Sequence, residues 1–166
     1  MNAYLTFLIL FVVTLIQSTV MSRITIAGVH PDLMLMVVTS WGLLRGTQEG
    51  MLWALSGGVP MDLMSGAKFG LHTLALLIVS FATGFGERTV FRFEILMPIL
   101  VIPIATLAYQ LAIMGGLFLF GWPVAWGTYM TAVVLPSMLV NTLCMPIVYL
   151  TVRALHRHTY REEMEV

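Results

Sequence analysis

Long apolar runs separated by short polar connectors are the main pattern along the chain. No Asp, Glu, Lys or Arg interrupts residues 1–22, 69–86 or 95–152. Because one membrane span needs about 20 apolar residues, the last run is long enough for two spans. The pattern predicts six helices, at about 4–21, 31–44, 49–64, 71–86, 95–120 and 128–152. We therefore expect an all-α polytopic membrane protein, with a six-transmembrane-helix domain over 1–152 and a short cytoplasmic tail over 153–166.

Composition supports a membrane location. Of the 166 residues, 59% are hydrophobic and only 10% are charged, whereas soluble domains carry about 25% charged residues. The formal net charge is zero, so the chain has no basic surface of the kind that binds nucleic acid. The N-terminal apolar run lacks the basic start and the A-x-A site of a signal peptide, and we interpret it as a retained first span.

The distribution of Lys and Arg predicts the orientation of the spans. If the N-terminus is cytoplasmic, the outer connectors hold only two basic residues and the inner side holds six. Cytoplasmic loops carry the excess of Lys and Arg, so both termini are expected in the cytoplasm. The outer pair is Arg23 and Lys68, and the inner set is Arg45, Arg88, Arg92, Arg153, Arg157 and Arg161. The same topology places aromatic residues at the inner membrane boundary, namely Trp41, Trp53, Phe91, Phe93 and Tyr149.

The third predicted helix carries small residues and one carboxylate at a spacing of four. Gly50, Ala54, Gly58 and Asp62 form one slowly drifting face of a helix with 3.6 residues per turn. Small residues at this spacing allow another helix backbone to approach closely in a membrane. Asp62 is therefore expected to face protein rather than lipid, and the face is a candidate surface for a partner or for packing inside the bundle.

Two interpretations of the acidic residues remain open. In the structural one, Asp32 caps the start of the second helix, and Asp62 is stabilised by Lys68 or by a helix N-terminus. In the functional one, both belong to a site or partner surface on the outer side, because charges within spans are functional candidates. Gln17, Gln110 and Asn141, which are uncharged polar residues inside spans, are more typical of hydrogen bonds between helices than of ligand contacts.

The sequence offers little for catalysis or cofactor binding. No nucleophile with a nearby base and no glycine-rich phosphate loop is recognisable. His30 and His72 could meet Asp32 and Asp62 in a metal site, but interfacial polar groups are the commoner role of such residues. We therefore predict a protein that is not an enzyme, with no catalytic residue, no cofactor and no metal.

Between residues 15 and 75 the order of motifs resembles that of the bacterial MreD family. The first span ends in Gln17-Ser18-Thr19, and Pro31-Asp32-Leu33 opens the second helix. A G-x-x-x-D element then runs from Gly58 to Asp62. Further glycines complete the pattern: Gly46, Gly50, Gly66 and Gly70.

The resemblance implies a component of the cell-elongation machinery in the bacterial cytoplasmic membrane. Its expected partners are membrane lipid and MreC, a single-span protein, and through MreC the glycosyltransferase RodA and a penicillin-binding transpeptidase; a homo- or hetero-oligomer is possible. It also implies a six-helix fold similar to the substrate-binding subunits of vitamin transporters. The alternative function is accordingly a small-molecule-binding transporter subunit, with a pocket at Asp32, His72 and Asp62. Candidate partner or pocket residues are Gln17, Asp32, Gly50, Ala54, Gly58, Asp62, Lys68 and His72.

Overall fold

The computed structural model describes residues 3–66, 68–85 and 96–164, without the side chains of 3 and 158–164. The described residues form six long helices, close to the six that the sequence predicts. They are α1 (Ala3–Thr19), α2 and α3 within one continuous run (Leu33–Ser65), α4 (Leu71–Gly84), α5 (Leu96–Leu119) and α6, which joins the segments Trp126–Tyr129, Met130–Val134 and Leu135–Met164. The Met130–Val134 segment is a π-helix turn inside α6.

A single residue, Gly46, divides the run 33–65 into α2 (33–45) and α3 (47–65). Its φ of 80° and ψ of −173° lie in a region that is essentially restricted to glycine. A Cβ built on Gly50 would lie 2.9 Å from the Cα of Gly42, although residues eight apart in a straight helix are about 12 Å apart. The chain therefore folds back at Gly46, and α2 and α3 lie side by side as a hairpin.

The central helix of the bundle is α2. Every residue from Met34 to Leu43 is buried, as expected of a helix that is apolar on all sides. It shares its core with Leu10 of α1, Leu76 of α4, Ile102 of α5 and Met145 of α6. The surrounding helices shield α2 from solvent and lipid. Because it is enclosed, α2 can be shorter, at roughly 20 Å, than a span that faces lipid.

Glycines allow α4 to approach α3 closely. A Cβ on Gly58 of α3 would lie 2.6 Å from the Cα of Thr73 on α4, a separation that real Cβ atoms do not adopt. Gly84, at the other end of α4, is in equally close contact with the backbone of Thr47. The small side of α3 is thus packed against α4 along the length of the shorter helix.

Three of the aromatic residues predicted at the inner boundary are buried inside the bundle. Trp41, Trp53 and Tyr149 are 0%, 3% and 1% exposed. The two indoles stack on each other, with ring centroids 3.8 Å apart, because the hairpin brings α2 and α3 together. The last helix continues to Met164, beyond the predicted end at 152. Arg88, Phe91, Arg92 and Phe93 lie outside the described residues.

The described part of the chain contains three helical segments that are long and apolar enough to cross a membrane: Tyr4–Arg23, Leu96–Leu119 and Trp126–Arg157. Their outward sides carry large apolar side chains, such as Leu8 (58% exposed), Ile104 (69%) and Leu143 (76%). Continuous apolar surface of this kind marks contact with a membrane or another protein rather than with water.

Candidate functional site

Asp62 caps a helix other than its own. Its carboxylate accepts hydrogen bonds from the backbone N–H groups of His72 (2.8 Å) and Thr73 (3.1 Å) and from the Thr73 hydroxyl. These are the second and third residues of α4, whose N-cap position is held by Gly70, a residue without a side chain. Since the first N–H groups of a helix lack internal partners, Asp62 supplies from α3 the acceptor that Gly70 lacks.

Asp32 caps α2 directly, as in the structural one of the two interpretations left open by the sequence. Its Oδ1 accepts from the Leu35 N–H at 3.0 Å. The end of the bundle at which α2 and α4 begin, with Asp32 and Asp62 as caps, is called the capped end below. A carboxylate at each helix N-terminus also meets the positive end of the helix dipole, which offsets the cost of placing two acidic groups in an apolar bundle.

Side chains from α1 and α6 hold the start of α2 in place. Gln17 of α1 accepts from the Leu33 N–H at 2.7 Å and donates to the Pro31 carbonyl at 3.2 Å. Asn141 of α6 accepts from the Asp32 N–H at 2.9 Å and donates to the Thr106 hydroxyl of α5 at 3.2 Å. Both residues therefore link separate elements, as predicted for polar groups inside spans.

The polar contacts of the capped end extend to α5 and along it to α6. Nδ1 of His72 lies 2.8 Å from the hydroxyl of Tyr109, which is 3% exposed. The hydroxyl of Tyr129 on α6 donates to Gln110 of α5 at 2.9 Å, which confirms the predicted interhelical role of Gln110. Hydrogen bonds thus join α1 to α2, α3 to α4, α4 to α5 and α5 to α6 at or near this end.

Lys68 does not pair with Asp62. Its ammonium nitrogen lies 5.6 Å from the centroid of the Phe120 ring, at the end of α5, and the residue is exposed. Of the two ways in which the sequence could stabilise Asp62, the structure uses the helix N-terminus, because backbone N–H groups reach the buried carboxylate without a second charge having to be desolvated.

The four residues of the small-residue face all lie in internal contacts. Ala54 is fully buried and Asp62 is 3% exposed. A Cβ on Gly50 would lie 2.6 Å from Ser80 Oγ of α4, and Gly58 meets Thr73 as described above. The face is therefore occupied by α2 and α4 of the same chain.

A cavity of about 270 Å³ opens between the ends of α1, α3 and the start of α4. It is lined by Thr14, Gln17, Ser18, Met61, Met64, Ser65 and His72. Of the eight sequence candidates, only Gln17 and His72 line it. The two aspartates of the predicted pocket are used as caps instead.

The described residues contain no group of three or more His, Cys, Asp or Glu placed to hold a metal ion. His30 is exposed, and its Nδ1 lies 2.9 Å from the carbonyl oxygen of Ile24. His72 instead contacts Tyr109. The two histidines thus serve different local contacts.

One polar cluster was not anticipated from the sequence. At the hairpin, the Trp41 indole N–H donates to Glu49 at 3.2 Å, and Arg45 Nε lies 3.5 Å from the same carboxylate. The ring of His156 on α6 meets Trp41 edge-on, with centroids 5.9 Å apart. The available signal was the i, i+4 spacing of the oppositely charged Arg45 and Glu49.

These features define a class: an all-helical membrane protein whose polar groups, at the capped end, hold helices together. Comparison with protein families then gives its identity, since the model of the rod shape-determining protein MreD matches residues 1–159. The chain belongs to the MreD family, and this membership indicates a role in determining rod shape. Comparisons with curated proteins and with solved structures gave no match.

Proposed function

We propose that this chain is a non-enzymatic scaffold of the bacterial cell-elongation machinery, acting in peptidoglycan synthesis. It crosses the cytoplasmic membrane six times and binds the span of MreC, and through MreC it joins RodA and the penicillin-binding transpeptidase. The match to the MreD family over residues 1–159 is the observation that carries this proposal. The partners follow from the resemblance of the motifs between residues 15 and 75.

The use of the acidic groups supports a role without catalysis. Asp62 accepts three hydrogen bonds from the start of α4, and Asp32 accepts from Leu35. Both carboxylates accept hydrogen bonds from the N–H groups at helix starts, which is a structural use of an acidic side chain. Both residues thus stabilise the helix bundle, and a stable bundle is what a scaffold function requires.

Six spans with both termini in the cytoplasm agree with the positions of the basic residues. Arg45 lies beside the hairpin, which the Trp41–His156 contact places near the end of the α6 span. Lys68 lies at the capped end, which faces outward in this arrangement. The shorter α2 and α4 reach across because the bilayer adapts to short segments at modest cost and because α2 is enclosed by other helices.

MreC is proposed to bind the outward side of a helix rather than the small-residue face of α3, which is filled by α2 and α4. The first candidate is α1, since only 11% of its spanning window is buried, against 33% for α5 and for α6. Its exposed apolar residues include Phe7 and Phe11. Packing of complementary side chains is what joins spans within lipid.

The alternative function, a small-molecule-binding transporter subunit similar to those of vitamin transporters, has less support. Of the three residues of the predicted pocket, only His72 lines the cavity, while Asp32 and Asp62 are used as helix caps. A water-soluble ligand that co-purifies with the chain in stoichiometric amount would favour this alternative.

Site-specific photocrosslinking in the native membrane tests the proposal. A photoreactive amino acid is placed at Phe7 of α1, Ile104 of α5 or Leu143 of α6, each of them exposed, with buried Met36 as the control. We expect MreC to be captured from Phe7 and not from Met36.

Failure to capture MreC from all three exposed helices, with normal expression, would contradict the proposed partner. Capture from α5 or α6 alone would retain the partner and reject α1 as its site. Cell shape of the same strains provides the second measurement, because a scaffold of elongation that no longer binds its partner should yield rounded cells.

A further inference from the structure

The cavity between α1, α3 and α4 has walls of mixed character. Met61 and Met64 give it flexible apolar walls, and Gln17 and His72 add polar groups. A mostly apolar lining with a few hydrogen-bonding groups is the usual composition of a ligand site. The last turn of α1, the last turn of α3 and the first turn of α4 meet here, so the cavity lies where helices end.

The hydrogen bonds of His72 fix which polar group it offers. Among the described residues, the one partner found for the buried hydroxyl of Tyr109 is Nδ1 of His72. A buried O–H needs an acceptor, and Nδ1 accepts only in the neutral tautomer that carries its proton on Nε2. We assign this tautomer to His72 on that argument; its Nε2–H donor then has no partner in the described part of the protein.

Gln17 offers a second donor. One Nε2–H of its amide is bonded to Pro31 and its Oε1 accepts from Leu33. An amide carries two N–H donors, and the other one has no partner among the described residues. Because His72 and Gln17 both line the cavity, a ligand with acceptor oxygens matches these two N–H groups.

The nearby carboxylate decides the charge of those oxygens. Asp62 bonds to the backbone of His72 itself, so an anionic phosphate at His72 would meet a negative charge at short range. A neutral acceptor avoids this repulsion. The ester carbonyl of an acyl chain is a neutral acceptor attached to an apolar tail, and both parts match the walls of the cavity.

We infer that this cavity binds one acyl chain of a diacyl phospholipid, with the ester carbonyl accepting from His72 Nε2 and Gln17 Nε2 and the chain packing against Met61 and Met64. Met64, which lines the cavity, is 44% exposed, so the cavity is open to the surroundings of the bundle. The inference does not depend on MreC as the partner.

Photolabelling of the full chain in phosphatidylcholine vesicles tests this inference. The probe is phosphatidylethanolamine with a diazirine on one acyl chain, and labelled peptides are located by mass spectrometry. We expect labelling concentrated at 14–18 and 61–65. An ether-linked analogue, which lacks the carbonyl, should label these segments about thirtyfold less, as the loss of two hydrogen bonds of about 1 kcal/mol each predicts.

Two variants and a matched control complete the test. Met64→Trp fills the cavity from α3 and Ser18→Phe fills it from α1, so the comparison survives if one of them does not fold. Each should lower labelling of the two segments roughly tenfold by occupying the ligand's volume. Leu63→Trp changes the neighbouring side chain, which is 70% exposed and does not line the cavity, and should leave labelling unchanged.

Equal labelling of Met64→Trp and Leu63→Trp would overturn the inference, as would labelling spread evenly over all exposed helices. Equal labelling by the ester and the ether probe would overturn the hydrogen bonds assigned to Gln17 and His72. Because capture of MreC is measured separately, failure here is distinguishable from failure of the proposed scaffold function.

Discussion

At the scale of single residues, Asp62 illustrates how a charge is accommodated in an apolar bundle. Periodicity along α3 predicted that it faces protein, and the structure confirms this. The sequence left Lys68 and a helix N-terminus open as its partner, and it could not decide between them, because local propensity does not connect the backbone groups of α4 with Asp62. Gly70 at the start of α4 was the one available signal, since a helix that begins at glycine needs an acceptor from elsewhere.

Removal of the Asp62 carboxylate should destabilise the start of α4. Asp62→Ala leaves two backbone N–H groups and the Thr73 hydroxyl without their acceptor, and we expect a loss of about 1–3 kcal/mol in unfolding free energy. Asp62→Asn keeps one acceptor oxygen and should lose less. Thermal unfolding of the purified chain in detergent measures both.

Leu63→Ala is the control for Asp62, because it changes the next residue, which is exposed, and should shift stability by no more than about 0.5 kcal/mol. If Asp62→Ala unfolds at the same temperature as the unchanged chain, the carboxylate does not stabilise α4.

At the scale of helices, the boundaries followed the apolar runs, but the contacts between helices did not. The spacing of Gly50, Ala54 and Gly58 predicted a face suited to close approach, and the structure assigns that face to α2 and α4 of the same chain. The sequence could not distinguish an internal neighbour from a partner, because both require the same small residues. The sequence predicted a connector of four residues, 45–48, between the second and third helices. In the structure only Gly46 is non-helical.

Two glycine-to-alanine substitutions test the close approach of α3 and α4. In Gly58→Ala, the new Cβ would meet the backbone of Thr73, and overpacking of this kind costs about 1–3 kcal/mol. Gly115→Ala in α5 adds the same methyl group where no atom lies within 4 Å. It should stabilise its helix by up to about 1 kcal/mol.

The melting temperatures of the two variants in detergent should therefore move in opposite directions. If both variants were destabilised equally, crowding at Gly58 would not explain the lower melting temperature of Gly58→Ala. The contact between α3 and α4 would then be looser than described.

At the scale of the whole molecule, the capped end and the hairpin lie at opposite ends of the bundle. Lys68 belongs to the first, and Arg45 and His156 belong to the second. The proposed topology places these ends on opposite sides of the membrane. This is an arrangement that can be measured without knowledge of any partner.

Single cysteines report the two sides. The chain has one cysteine, Cys144, and Cys144→Ser provides a background without thiols. In that background, a membrane-impermeant maleimide applied to intact cells should label Lys68→Cys, whereas it should label Arg157→Cys only after the inner membrane is permeabilised. Labelling of both variants in intact cells would contradict the placement of the termini in the cytoplasm.

The sequence by itself determined the membrane class, six helices and the protein-facing side of Asp62, because hydropathy and helical periodicity are properties of neighbouring residues. Only the tertiary structure decided that Asp62 caps α4, that Trp41 stacks on Trp53 and that Gln17 and Asn141 hold the start of α2. It also decided that His72 lines a cavity without either aspartate. These contacts join residues that are distant along the chain, and they depend on how the helices pack, which no local pattern encodes.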